Sequence, residues 1–275
     1  MMRGKAWRWV LAVVITLASA VWQRVSGPSY PVHGRVTLGG RAISLRLERS
    51  HSTASDQPVR VTTTDPWVTG EVVWRRFPSS DPWQASALQR WDDELAVLLP
   101  RQPAAGKIEY QVRLRRGAEQ AVFPRRAAVT RFRDDVPAPI LVPHIVAMFL
   151  AMLFATRAGI EALGGQGDPR RLSWATLAIL VVGGFVLGPL VQKFAFGEWW
   201  TGVPFGWDLT DNKTLLAGLA WAFAVWTMRG GRAARGAVIA AAVITLVVFT
   251  IPHTAWGSQL DWSKLPQPAA TAPLR

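Results

Sequence analysis

Between Val136 and Thr156 the chain reads VPAPILVPHIVAMFLAMLFAT, without one charged side chain. As a helix such a run is long enough to cross a hydrocarbon core of about 30 Å, so the chain is read first as a membrane protein. Further apolar blocks occur at Leu172–Gln192, Thr214–Met228 and Gly236–Pro252, and one precedes them, from Trp9 to Val21. Hydrophobic residues make up 50% of the chain, yet residues 26–135 have an ordinary polar mix. That unevenness implies a soluble domain attached to a membrane domain over residues 136–258.

The charge fits this division. A formal net charge of +13 would suggest nucleic acid as a partner for a soluble protein, but here the basic residues border the apolar blocks. Arg3, Lys5 and Arg8 precede the first; Arg157, Arg170 and Arg171 come after the second; Arg229, Arg232 and Arg235 join the last pair. Basic residues in short loops mark the cytoplasmic side of a span, so the charge encodes topology and no nucleic acid is expected. Alternating the blocks across the membrane predicts an α-helical bundle of four spans after the soluble domain, or five with an N-terminal anchor. The chain has no cysteine, which excludes disulfides, thiolate metal sites, thiol catalysis and covalent heme attachment within it.

Residues 1–25 combine a basic start, a short apolar run and the small-residue sequence Ala18-Ser19-Ala20. A cleaved secretory signal and a retained anchor both fit this pattern, and either exports the domain after it. Within residues 26–135, Ala42–Leu47, Gly70–Arg75, Glu94–Leu99 and Ile108–Leu114 alternate apolar and polar side chains between turn residues, as half-buried strands do. Their spacing predicts an all-β sandwich of about seven strands. Residues 259–275, rich in Pro and Ala, read as a poorly ordered external tail.

The predicted topology brings three features to the outer face. His144 lies near the outer entry of its helix, roughly 7 Å in at helical rise, and His253 lies near the outer exit of the last one. Between them in sequence is an aromatic loop, residues 194–212, carrying Trp199, Trp200, Trp207 and Asp208. Isolated His33 and His51 in the soluble domain have no second ligand at a metal-site spacing and are read as surface or strand residues. Lys193, Asp208, Asp211 and Lys213 form a polar cluster in sequence, with Asp211 favoured as the cap of the next helix and Asp208 as a residue that orders the loop or serves a site. Tryptophans at a membrane interface also form ordinary aromatic belts, and a histidine near a helix end can simply meet water. Nothing resembles a hydrolytic triad, a phosphate loop or a metalloprotease helix.

Phe196-Gly197-Glu198-Trp199-Trp200, then Gly206-Trp207-Asp208, then the apolar Leu215–Trp226, resemble the external loop and adjoining helix of the WWD-type heme-handling proteins of cytochrome c assembly. Ile251-Pro252-His253-Thr254-Ala255-Trp256-Gly257-Ser258 resembles the end of that family's last core helix, and Pro143-His144-Ile145 stands where its other histidine would be. The chain departs from the family in the insertion Thr201–Phe205 and in Leu209, which replaces the usual proline. Separately, PRQPAAGKIEYQVRL followed by RRGAEQAVFP resembles the late strands of a fibronectin type III-like domain. The first resemblance implies heme b as cofactor, with His144 and His253 as axial ligands to the iron and the loop tryptophans with Asp208 as a roof. It places the protein in a bacterial inner membrane, with the sandwich and the Trp-rich loop on the periplasmic side, in cytochrome maturation or membrane redox traffic. The alternative is a non-enzymatic membrane anchor or assembly factor whose sandwich binds an exported or membrane protein partner.

Overall fold

The computed structural model describes residues 3–165, 167–229, 234–252, 260 and 262. The chain forms two compact units, one from Met1–Tyr30 with Asp134–Ser258 and the other from Pro31–Arg133 with Gln259–Arg275. Most of the second, Pro31–Arg133, is thus inserted between the two segments of the first.

The inserted unit is built of strands β1 (Val32–Leu38), β2 (Arg41–Leu47), β3 (Ser50–Ser52), β4 (Gln57–Thr62), β5 (Thr69–Arg76), β6 (Gln84–Ala87), β7 (Gln89–Trp91), β8 (Glu94–Leu99), β9 (Lys107–Arg116) and β10 (Glu119–Arg133). The four alternating runs lie within β2, β5, β8 and β9. They form a hairpin β1-β2, a five-stranded sheet β3-β10-β9-β5-β6 and a three-stranded sheet β4-β8-β7. Short β3 pairs parallel to β10, so the larger sheet is mixed. The hairpin turns through Gly39 and Gly40, both at positive φ (56° and 70°), the geometry a two-residue turn between twisted strands requires. Side chains from all three sheets meet in one core: Leu45 of β2, Val61 of β4, Leu95 of β8, and Ile108, Tyr110, Val112 and Leu114 at alternate positions of β9. Each fully buried aliphatic side chain there contributes about 1.5–3 kcal/mol. Tyr110 is fully buried because its hydroxyl has partners, donating to the Glu48 carbonyl at 2.6 Å and accepting from Gln57 Nε2 at 3.2 Å. Trp262, in the segment expected to be a disordered tail, is instead buried, with its indole N–H donating to the Phe77 carbonyl at 3.2 Å and Arg76 over its ring.

The helical unit comprises α1 (Arg3–Val25), α2 (Ala138–Leu163), α3 (Arg170–Leu180), a π-helical segment Val181–Leu187, α4 (Gly188–Phe196), α5 (Leu209–Thr227) and α6 (Arg235–Thr250). The segments from Arg170 to Phe196 are continuous, giving five helices among the described residues. The expected four spans after the soluble domain are not found. Only Ala6–Val25, Ala138–Leu163 and Arg170–Phe196 are both long and apolar enough to cross a membrane among the described residues. Helix α5 opens with a polar turn, Thr210-Asp211-Asn212-Lys213-Thr214, and α6 has 16 residues, about 24 Å at helical rise. Helix α2 overruns its expected end at Thr156 and carries Arg157 and Glu161 within it, because the pair neutralise each other at i,i+4 spacing with 2.5 Å between them. Pro189 neither ends nor breaks its helix. The widened π segment lies just before it, and the Gly188 N–H reaches back to the Gly183 carbonyl.

Small residues let these helices approach closely. Ala151, Ala155, Ala158 and Ala162 form a buried stripe on α2, and a Cβ on Gly159 would stand 2.7 Å from Ala242 Cβ of α6. Fully buried Trp221 of α5 donates its indole N–H to Thr245 Oγ of α6 at 2.8 Å. The large apolar side chains point outward instead: Leu219 is 60% exposed and Val247 55%. Small interfaces pinned by hydrogen bonds, with bulky apolar residues outside, are what a bilayer favours.

Candidate functional site

His144 sits in the second turn of α2, and its Nδ1 lies 2.9 Å from the Gly183 carbonyl in the π-helical segment. A carbonyl only accepts, so Nδ1 carries the proton. In the neutral ring Nε2 then holds a lone pair, and it has no hydrogen-bond partner among the described residues. Two local features make this possible. A Cβ on Gly183 would come within 2.8 Å of Ala147 Cβ, so glycine is what lets the segment approach α2. The π-helical turn leaves the Gly183 carbonyl accepting from Gly188 and from the imidazole together. A second-sphere carbonyl that fixes the tautomer and orientation of a histidine is the arrangement metal-ligating histidines use. An apolar groove of about 400 Å³ runs along the same helix pair, lined by Pro143, Val146, Ala147 and Leu150 of α2 with Ala178 and Val182 opposite.

The second expected ligand, His253, lies outside the described residues. The aromatic loop is described. Helix α4 ends at Gly197, whose φ of 84° and N–H donation to the Lys193 carbonyl make a left-handed cap. Of the three loop tryptophans, Trp200 packs: its ring stacks on Phe185 with centroids 6.0 Å apart, and its indole N–H donates to the Val203 carbonyl at 3.1 Å. Trp199 is 53% exposed under the Lys193 ammonium, and Trp207 is 87% exposed. In this structure Trp199 and Trp207 face outward, as belt residues do, and Trp200 alone of the three is built into the packing.

The four charged residues grouped by sequence do different jobs. Asp208, not Asp211, caps α5, accepting from the backbone N–H groups of Thr210 at 2.8 Å and Asp211 at 3.4 Å. Asp211 is buried and ties down the loop, accepting through Oδ2 from Thr201 N at 2.6 Å, Gly202 N at 3.1 Å and Thr201 Oγ at 3.2 Å. The roles expected for the two aspartates are thus exchanged, because the helix starts one residue after Asp208 and leaves Asp211 facing the loop. Buried Lys213 donates to the Ile251 carbonyl at 2.7 Å, where a cation offsets the negative end of α6. Lys193 donates to the Gly197 carbonyl at 2.6 Å. The four are committed to separate backbone partners.

Comparison with known proteins assigns nothing further: no family model matches the chain, no curated protein matches it, and no solved structure matches its fold. Among the described residues no group of three or more His, Cys, Asp and Glu could hold a metal ion. Several residues of this end carry no sequence signal. Gln192 Nε2 donates to Thr201 Oγ at 2.7 Å, extending the Asp211 network back into α4, and Phe185 supplies the platform for Trp200. A glutamine and a phenylalanine in an apolar block look like any others. Gly183, Gly184 and Gly188 in one apolar block signal close helix approach without naming the partner.

Proposed function

We propose that the helical unit binds heme b, with His144 as an axial ligand through Nε2. The observation that carries this reading is the Nδ1–H donation to the Gly183 carbonyl, which leaves Nε2 with a lone pair, on a helix whose Pro143, Val146, Ala147 and Leu150 line an apolar groove. Imidazole is a usual axial ligand of heme iron, and heme supplies its own equatorial nitrogens, which suits a histidine that has no cluster of other donors around it among the described residues. When bound, the group would supply one-electron chemistry. The residues of this chain hold and orient it: Gly183 fixes the imidazole, the α2–α3 groove offers apolar surface to the macrocycle, and Trp200 on Phe185 stiffens the adjoining loop through Asp211. In this proposal His253 would also hold the heme, at the outer face of a bacterial inner membrane, in cytochrome maturation or membrane redox traffic.

The test is hemin titration of the purified full chain in detergent, read by the Soret band and by the low-spin signature that paired histidine ligation produces. His144→Ala should weaken binding by at least about tenfold, ~1.4 kcal/mol, and His253→Ala should convert the spectrum to high spin. No Soret band from the unmodified chain, or an unchanged one in His144→Ala, overturns the reading. A second reading, a membrane anchor whose β unit binds an exported partner, draws on a separate observation: Trp67, Trp91 and Leu98 of that unit are 75%, 62% and 62% exposed, which leaves large apolar side chains available to a partner.

A further inference from the structure

The first apolar segment fits both a removable export signal and a permanent helix when read as sequence. In the structure α1 is one unbroken helix from Arg3 to Val25, continuing past the Ala18-Ser19-Ala20 sequence where a signal would be cut. One face of it is buried: Ala12 at 0%, Thr16 at 4% and Ser19 at 8% exposed. Together with Arg8 and Gln23 these positions keep the three-and-four spacing of a helical stripe.

Each end of that stripe is pinned. At the first, Arg8 Nη1 donates to Glu161 Oε2 of α2 at 3.0 Å, sharing that oxygen with Arg157. The Arg8 and Glu161 side chains are 15% and 9% exposed. Trp9 packs edge-on against Phe154 with ring centroids 5.6 Å apart, and the Arg157 guanidinium lies over the Trp9 ring. At the other end Ser19 Oγ lies 2.8 Å from Thr250 Oγ of α6, and Gln23 Nε2 donates to the Phe249 carbonyl at 2.6 Å. In hydrocarbon these polar contacts have no water to replace them, so removing α1 would turn the Arg157–Glu161 pair toward lipid.

We propose that Arg3–Val25 is a permanent helix of the membrane unit and that the bond after Ala20 is not a processing site. Ser19 is buried against α6, and the backbone on both sides of the bond is helical, whereas a peptidase needs an accessible, extended strand. Pro31–Arg133 of the β unit is then flanked in the chain by two retained helices of the membrane unit, α1 before it and α2 after it.

The experiment uses the full chain with a C-terminal tag, expressed in a bacterium that has signal peptidase and purified from its membranes. Intact mass should be that of the whole 30.2 kDa chain plus the tag, and a mass lower by residues 1–20 overturns the proposal. Packing is read separately by Ser19→Cys with Thr250→Cys. The chain has no cysteine of its own, so mild oxidation should give one disulfide in most molecules, seen as a mobility shift that reductant reverses. A full-length chain in which that pair does not cross-link overturns the docking of α1 on α6. Single-cysteine variants, which keep the rest of the interface, should show no shift.

Discussion

The β unit and the helical unit bury opposite kinds of residue. In the β unit the interior holds Leu45, Leu95, Ile108, Tyr110 and Leu114, and polar side chains face out between them. In the helical unit the closest contacts are made by Ala155, Ala158, Gly159 and Gly183, while Leu219, Phe223 and Val247 face out. One unit is held by driving apolar surface out of water. The other gains little from that term in a bilayer and relies on close approach and hydrogen bonds such as Trp221 to Thr245. The difference teaches that the same kind of substitution should have unequal consequences in the two units, which can be measured.

The largest effect is expected at Glu161. Glu161→Ala leaves Arg8 and Arg157 sharing a buried site with no carboxylate between them, and removing one partner of such a group costs about 3–5 kcal/mol. Thermal unfolding of the helical unit in mild detergent should show it, with the β-unit transition unmoved. If both transitions shift together, the units do not unfold separately and the comparison fails at its root. The next effect is a contrast. Leu95→Ala in the β core should cost about 2–5 kcal/mol, whereas Leu219→Ala, on the outward face of α5, should stay within about 0.5 kcal/mol. Equal losses at the two leucines would mean that Leu219 packs against protein, and that its face is an assembly surface rather than a lipid-facing one.

The same contrast governs what the sequence reveals. Strands β2, β5, β8 and β9 were legible because one face of each meets water and the period-two alternation records it. Short β3, β6 and β7 lie on sheet edges or outer pairings, where few side chains are buried, and leave no such record. Among the helices, long uncharged runs revealed α2 and the Arg170–Phe196 helix, but ends set by side-chain pairing escaped. Arg157 looked like the start of a loop until Glu161 was placed beside it. Length and the polar first turn, rather than apolar content alone, removed α5 and α6 from the set able to cross a membrane. At the candidate site, His144 stood out as an ionisable group in an apolar run, but its partner could not be read. A backbone carbonyl that takes a second donor at a π-helical turn has no residue identity, so no sequence signal marks it. The two aspartates were visible and their roles were not, since a one-residue shift in helix start exchanges cap for loop anchor.

The smallest effect expected is a pH dependence confined to the β unit. Asp65 is held by Arg116, whose Nε lies 2.7 Å from Oδ2, and by the Trp67 backbone N–H at 3.0 Å. These hydrogen bonds hold its carboxyl below the usual carboxylate range. The Arg76 guanidinium, 2.5 Å from the Asp81 carboxylate, does the same there. In the unfolded chain an aspartate titrates near about 3.9. A carboxylate whose pKa is lower in the folded state binds fewer protons there than in the unfolded chain, so it adds stability above the unfolded value. That contribution is lost as pH falls through the folded one. Asp65→Asn should therefore be less stable than the unmodified chain at pH 6 and converge on it toward pH 3, with the β-unit transition monitored in urea. A difference that stays constant over that range would mean that the Asp65–Arg116 contact acts through shape alone. The helical transition should not differ between the two proteins at any of these pH values, because Asp65 belongs wholly to the other unit.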